Sequence, residues 1–388
     1  MNAADSTPPA TTAPPARHLS IDEALDAAAK KVRNLITTHP GEWPTYTKNG
    51  RWVFDADPWA PTWSGGFLTG QLWVHAQRTG DPWWREQAEK YSLLLEPRQH
   101  DLTTHDIGFL FDHSWGRWYD LEPSSHAAAV LITAGRSMAS RYREHGGYLC
   151  TWVDPGSTFI DVMMNVGIIM RAAELSGDQK LRDIAVTHTR TSLRYLVRGD
   201  GSTVHEGWFD TTTGEFLRAA THQGSRADSS WARGQSWAIY GFTTMYRHTG
   251  DEDFLDAARR TADYFLAHTL EDGVPPNDFR DADGDNKREA SAGAIAAAGL
   301  LLLSRTIEGP SVDGPYGQQA RRLVNTLSST EYISADLPEY EGVLRHATYH
   351  YRNGLGIDES VMWGDHFLVE ALDGIRRADQ AQNQEGGR

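Results

Sequence analysis

Apolar residues recur at i, i+3, i+4 and i+7 along most of the chain, and no convincing pair of period-2 segments is joined by a hairpin turn. The pattern predicts an almost entirely helical protein with two kinds of helix in alternation. One kind is rich in small residues and apolar all round, at about residues 66–79, 105–118, 159–176, 231–249, 288–305 and 358–376. The other carries one charged face, at about 21–38, 82–97, 122–143, 179–197, 252–269 and 315–330. Three joints share one punctuation: "HAQRTGDPWW", "AAELSGDQKL" and "MYRHTGDEDF". In each, a left-handed Gly can end one helix and the following Asp can cap the next, giving a short antiparallel helical hairpin.

Six buried helices alternating with six half-exposed ones predict an all-α (α/α)6 barrel, a single domain over residues 18–378 with an inner and an outer ring. The capping repeats of an open α-solenoid are not evident. If each outer helix returns to the start of the next inner one, the inner helices are parallel and their N-termini share one rim. The loops entering the inner helices are then where a pocket forms, and exposed NH groups there favour an anion.

Two carboxylates open consecutive inner helices: Asp106 in "THDIGFLF" and Asp161 in "FIDVMMN". A lone Asp in such a place is ordinarily a cap. Two on one rim also suit glycoside chemistry, which uses paired carboxylates. A helix N-terminus lowers a carboxyl pKa, whereas burial beside Met163 and Met164 and repulsion from a second carboxylate raise it, so the residue acting as acid must win that balance. The loop before the fourth inner helix offers His205, Thr221, His222 and Gln223 for hydrogen bonds to hydroxyls. Arg233 could grip a carboxylate with two parallel NH bonds, or bridge loop carbonyls, and Trp237 on the same helix face could stack a sugar ring.

Composition narrows the partners. A net charge of −15 argues against a nucleic-acid surface, and an anionic ligand would need a local basic site. No run of 18 apolar residues occurs, so no membrane span is expected. Residues 1–17 are rich in Pro, Thr and Ala without the regions of a secretion signal, which predicts a disordered tail and a cytoplasmic protein; residues 379–388 are expected to form a second flexible tail. The single cysteine, Cys150, excludes an internal disulfide and reads as a core residue. The 14 tryptophans fill a core and suit sugar stacking. "DADGDNKRE" lacks the glycine and glutamate spacing of a calcium loop, and "THQG" with a distant His205 lacks zinc spacing, so no metal is expected.

The motifs "HDIGF" (105–109), "IDVMMN" (160–165), "WARGQSW" (231–237), "ASAGAIAAAGLLLLS" (290–304) and "DESVMWGDHFLVEAL" (358–372), in this order, resemble the unsaturated glucuronyl hydrolases of glycoside hydrolase family 88. The resemblance covers essentially residues 20–376 and implies an (α/α)6 barrel. It also implies release of a 4,5-unsaturated uronic acid from lyase-generated oligosaccharides by hydration of the vinyl ether, without a cofactor. It makes Asp161 the proton donor and Asp106 its helper. Substrate contacts are implied for His105, His205, Thr221, His222, Gln223, Arg233 and Trp237, with Phe67 and Trp152 as aromatic walls. The expected partner is the oligosaccharide alone, bound by a monomer or weak homodimer. Ala219 stands where a Gly is common in the family, and "HATYHYR" has no counterpart, which leaves the second sugar open. A related unsaturated rhamnogalacturonyl hydrolase and a non-catalytic carbohydrate-binding barrel are the competing readings.

Overall fold

The protein is described from a computed structural model over residues 16–54, 63–280 and 287–386. In chain order the elements are α1 (Ile21–Thr38), the hairpin β1 (Pro44–Lys48) and β2 (Arg51–Phe54), α2 (Gly65–Thr79), α3 (Pro82–Leu95) and α4 (Ile107–Phe111). A π turn over Asp112–Gly116 leads into α5 (Arg117–Leu121). Then follow α6 (Ser125–Ala139), β3 (Tyr142–Arg143), β4 (Tyr148–Leu149), β5 (Ser157–Phe159), α7 (Val162–Asn165), α8 (Gly167–Ser176) and α9 (Gln179–Leu196). The chain continues through β6 (Glu206–Phe209), β7 (Phe216–Ala220), α10 (Ala232–Thr249), α11 (Glu252–His268), α12 (Ala290–Ile307) and α13 (Pro315–Leu327). It ends with β8 (Ala347–His350), β9 (Leu355–Glu359) and α14 (Met362–Gly386).

The inner ring is α2, α4–α5, α7–α8, α10, α12 and α14; each packs on the next, and α14 returns to α2 to close it. The outer ring is α1, α3, α6, α9, α11 and α13. The three Gly-Asp joints behave as read: Gly80, Gly177 and Gly250 are left-handed, and Asp81, Asp178 and Asp251 accept from Trp83, Lys180 and Asp253 NH groups.

Close approach inside the ring depends on glycine. A Cβ on Gly66 would lie 2.0 Å from the Phe109 carbonyl oxygen, and one on Gly108 would lie 2.5 Å from Asn165 Cα. Gly66→Val should therefore cost about 3 kcal/mol or more, because the obstacle is backbone. Urea denaturation should show the midpoint falling sharply; an unchanged midpoint would mean that the α2–α4 contact is not tight.

Several expectations require correction. Among the described residues there are four small antiparallel sheets, β1–β2, β3–β4, β5–β6–β7 and β8–β9. Their strands escaped a period-2 search because many are covered on both faces, as β8 is at all four positions. The β1–β2 turn is Asn49-Gly50, both at positive φ, a hairpin signal present in the sequence and overlooked. The second and third inner helices are interrupted, by the π turn after Phe111 and at Val166. The final helix runs through most of the segment expected to be flexible, where Asp379 pairs with Arg321 and Gln382 donates to Asp313. Arg17, expected in the N-terminal tail, donates its backbone NH to the Thr330 hydroxyl and accepts from the Thr330 NH. α12 is long and apolar enough to cross a membrane by length and composition, and 78% of it is buried inside the protein, as for a core helix. Cys150 is buried with Tyr148 and Phe209, as expected of a core residue. Most of "DADGDNKRE" lies outside the described residues.

Candidate active site

The hairpins cluster where the sequence placed its rim: every one lies in a loop entering an inner helix. Together with the helix starts they line a cleft open to solvent. Of the residues expected there, His105, Asp106, Trp152, Asp161, His222, Gln223, Arg233 and Trp237 line it. Trp63, Phe109, Phe159, Tyr349 and His350 complete the wall and were missed. Phe109 ends "HDIGF", Phe159 precedes "IDVMMN", and Tyr349 and His350 lie on β8 within "HATYHYR".

Asp106 and Asp161 stand at helix starts, yet neither side chain caps its helix. Asp106 Oδ2 accepts from Thr104 Oγ1 at 2.6 Å, and His105 Nε2 lies 3.6 Å from Oδ1. Asp161 Oδ1 is buried and has no hydrogen-bond partner among the described residues. Burial pushes the Asp161 carboxyl up to about 7; the Arg233 charge opposes this and the Asp106 charge adds to it. The balance posed by the sequence is thus decided by desolvation. Asn165, in the same motif, ties the two helices: its Oδ1 accepts from Phe109 NH at 2.8 Å and its Nδ2 donates to the Asp161 carbonyl at 3.2 Å.

His205 does not line the cleft but stands behind Asp161, Nε2 to Oδ1 3.8 Å. The NH groups of His222 and Gln223 both donate to His205 Nδ1, at 3.1 Å, so the neutral ring carries its proton on Nε2, facing Asp161. Burial lowers the His205 pKa and keeps it neutral, with the positive field of His222 and Arg233 acting the same way. His105 repeats the arrangement on Asp106: the Trp152 NH donates to its Nδ1 at 3.4 Å and Nε2 turns to the carboxylate. Thr221, expected to touch substrate, instead contacts His205 Nδ1 through its hydroxyl and is absent from the lining.

Arg233 departs furthest from its expected role. Nη1 donates to the Thr348 carbonyl at 2.6 Å, and Nη2 to Gln223 Oε1 at 2.6 Å and the Tyr349 carbonyl at 2.7 Å. Trp231 and Trp363 rings lie 4.2 and 5.0 Å from its guanidinium carbon. The fork expected to clamp a substrate carboxylate is committed to loop carbonyls, the alternative weighed from sequence. Phe67 is also corrected: it is fully buried on the barrel axis among Phe109, His113, His366 and Phe367. Trp237 keeps its place on the wall, edge-on to Phe367, its indole NH buried without a partner among the described residues.

At the far end of the ring, His113, His366 and Glu370 bring ligand atoms within 4.8 Å of one another. Arg117 and Tyr240 donate to the two Glu370 oxygens, and His366 Nε2 lies 3.1 Å from His113 Nδ1. A cation there would face a guanidinium on its own carboxylate ligand, so the trio reads as a neutralised structural network.

A closed double ring of helices with two unequal carboxylates and aromatic walls at one mouth defines an α/α-barrel glycoside hydrolase. The chain belongs to Glycosyl Hydrolase Family 88, whose model matches residues 30–337. It is 34% identical to the unsaturated glucuronyl hydrolase of Bacillus sp. (strain GL1), over 84% of this chain and 89% of that one. It is 31% identical to the unsaturated chondroitin disaccharide hydrolase of Streptococcus pyogenes serotype M1, over 91% and 90%. The crystal structure of the Bacillus sp. GL1 enzyme, responsible for glycosaminoglycan degradation, superposes with a TM-score of 0.85 at 33% identity, covering 92% of this chain and 97% of that one. An aspartate-to-asparagine mutant of the Streptococcus agalactiae enzyme, complexed with dGlcA-GalNAc6S, superposes at 0.78 and 30% identity, covering 92% and 93%.

Proposed function

We propose that this enzyme is an unsaturated glucuronyl hydrolase, releasing the 4,5-unsaturated uronic acid from the non-reducing end of oligosaccharides made by polysaccharide lyases. The observation that carries this reading is the state of Asp161: a half-buried carboxyl, one oxygen fully enclosed, that holds its proton near neutrality at the mouth of the barrel. Protonating an alkene carbon needs such an acid. In the reaction Asp161 gives its proton to C4, and the ring oxygen stabilises the cation at C5. Water adds at C5 and returns a proton to the Asp161 carboxylate. The hemiketal opens to the C5 ketone, and the remaining C1 hemiacetal collapses to free the second sugar. Asp106, oriented by Thr104 and His105, holds sugar hydroxyls and through its charge supports proton retention on Asp161. His205 Nε2–H steadies the carboxylate that the proton leaves behind.

The relatives named for glucuronyl and chondroitin substrates support a uronate at the cleft, whose wall includes Tyr349 and His350 on β8. A cytoplasmic location and a monomer or weak homodimer belong to the same proposal; cell fractionation and light scattering test them.

Incubation with lyase-generated uronate disaccharides should bleach the ultraviolet absorbance of the conjugated double bond. No decay across glucuronate, chondroitin and heparin disaccharides would overturn the proposal. Because the protonated acid is required, kcat/KM should fall about tenfold per pH unit above pH ~7, the point to which Asp161 is raised. A profile flat to pH 9 would place the acid elsewhere.

A further inference from the structure

We infer that Glu289, which lies outside the cleft, is a positioning residue of the reaction: it fixes Arg233 in the wall of the pocket and offsets its charge. The inference rests on the proposed function for its meaning, but its geometry stands by itself.

Glu289 is completely buried at the start of α12. Its Oε2 accepts from the Ala292 NH, and its Oε1 accepts from the Thr348 NH of β8 at 3.0 Å. The Ser291 hydroxyl donates to the same carboxylate and accepts from Trp363 Nε1 at 3.1 Å. Arg233 Nη1 lies 3.7 Å from Glu289 Oε1. One carboxylate thus joins the start of α12, the strand that presents Tyr349 and His350, the tryptophan beneath Arg233, and Arg233 itself. Helix capping explains only the Ala292 bond. A buried cation needs a buried countercharge, and of the charges acting on Arg233, Glu289 favours it most, ahead of Asp161.

The consequence reaches the acid. The charged groups acting on Asp161 are Arg233 from α10 and Asp106 from the start of α4, with His205 from the loop before β6 at 3.8 Å; His105, His222, Tyr349 and His350 are the other titratable side chains of the cleft. Arg233 is the one that pulls the Asp161 proton away. The Glu289 carboxylate, 3.7 Å from the Arg233 guanidinium, opposes that field; its removal leaves the guanidinium charge unopposed and makes Asp161 a stronger acid.

The test is the titration of Asp161 in Glu289→Gln, followed by carbon NMR of aspartate labelled at the side-chain carboxyl and assigned by loss of its signal in Asp161→Asn. The midpoint should move to lower pH by at least half a unit, and the alkaline limb of kcat/KM should move with it. Glu289→Asp keeps the charge and should leave the midpoint in place even if stability falls. An unmoved midpoint in the Gln variant, or an equal shift in the Asp variant, would reduce Glu289 to a helix cap. If the Gln variant does not fold, Arg233→Met carries the test: its midpoint must rise, and an unmoved one overturns the inference. The NMR titration needs no turnover, so inactivity of the unaltered enzyme on every disaccharide would defeat the proposed function while leaving this inference open to test.

Discussion

Asp161→Asn should lose about 10² to 10⁴ in turnover and yet be more stable than the unaltered protein at pH 8. The loss follows from chemistry: an amide of the same shape cannot give a proton to carbon, and positioned acids of this kind contribute 10² to 10⁴ in rate, of order. The gain follows from linkage. Asp161 is raised from 3.8 to about 7 in the folded state, so between those values the native protein binds more protons than the unfolded chain. Stability attributable to this group therefore falls as pH rises through that window, and at pH 8 the fold carries the full cost of a buried charge. At about 1.4 kcal/mol per unit, that cost is on the order of 4 kcal/mol. Thermal denaturation at pH 8 and pH 4.5 checks it: the Asn variant should gain at the higher pH and little at the lower. Loss of activity with an equal loss of stability at both values would instead describe a structural aspartate.

Arg233→Met should be damaging in a different way. Removal of the guanidinium leaves the Thr348 and Tyr349 carbonyls and Gln223 without their donor and Glu289 without its countercharge, all in buried surroundings. Breaking one side of such a network costs about 3 to 5 kcal/mol. β8 holds two wall residues of the cleft, so kcat/KM should fall by about a hundredfold or more as the wall loosens, geometry being costly to lose. Chemical denaturation and steady-state kinetics on the same preparations test this. A rise in KM with stability and kcat intact would restore the simple substrate clamp that the sequence suggested.

The contrast between these two residues shows what a linear reading can carry. Asp161 was recognised because a carboxylate at the head of an apolar helix is locally conspicuous, and its question, acid or cap, was posed correctly. The answer was not local. It depended on the absence of a capping bond, on burial, and on charges contributed by residues 72 positions downstream at Arg233 and 55 upstream at Asp106, as counted along the chain. Arg233 was recognised as well, but the two backbone carbonyls that hold it lie more than a hundred residues away on β8. Sequence spacing along α10 could point the side chain toward the rim; it could not show that the fork was already occupied. Phe67 illustrates the same limit, since an aromatic near an inner-helix start can face the cleft or the axis according to how the ring closes.

By itself the sequence determined the helical alternation, the Gly-Asp joints, the closed double ring and the family, because periodicity and capping are properties of neighbours a few positions apart. It also placed both aspartates on one rim. Tertiary structure decided the rest: the hairpins, whose strands are covered on both faces and lose their alternation; the second halves of the cleft wall, Tyr349 and His350; and which carboxyl keeps its proton. Those are set by contacts between residues far apart in the chain, where desolvation and countercharge, rather than local propensity, determine the outcome.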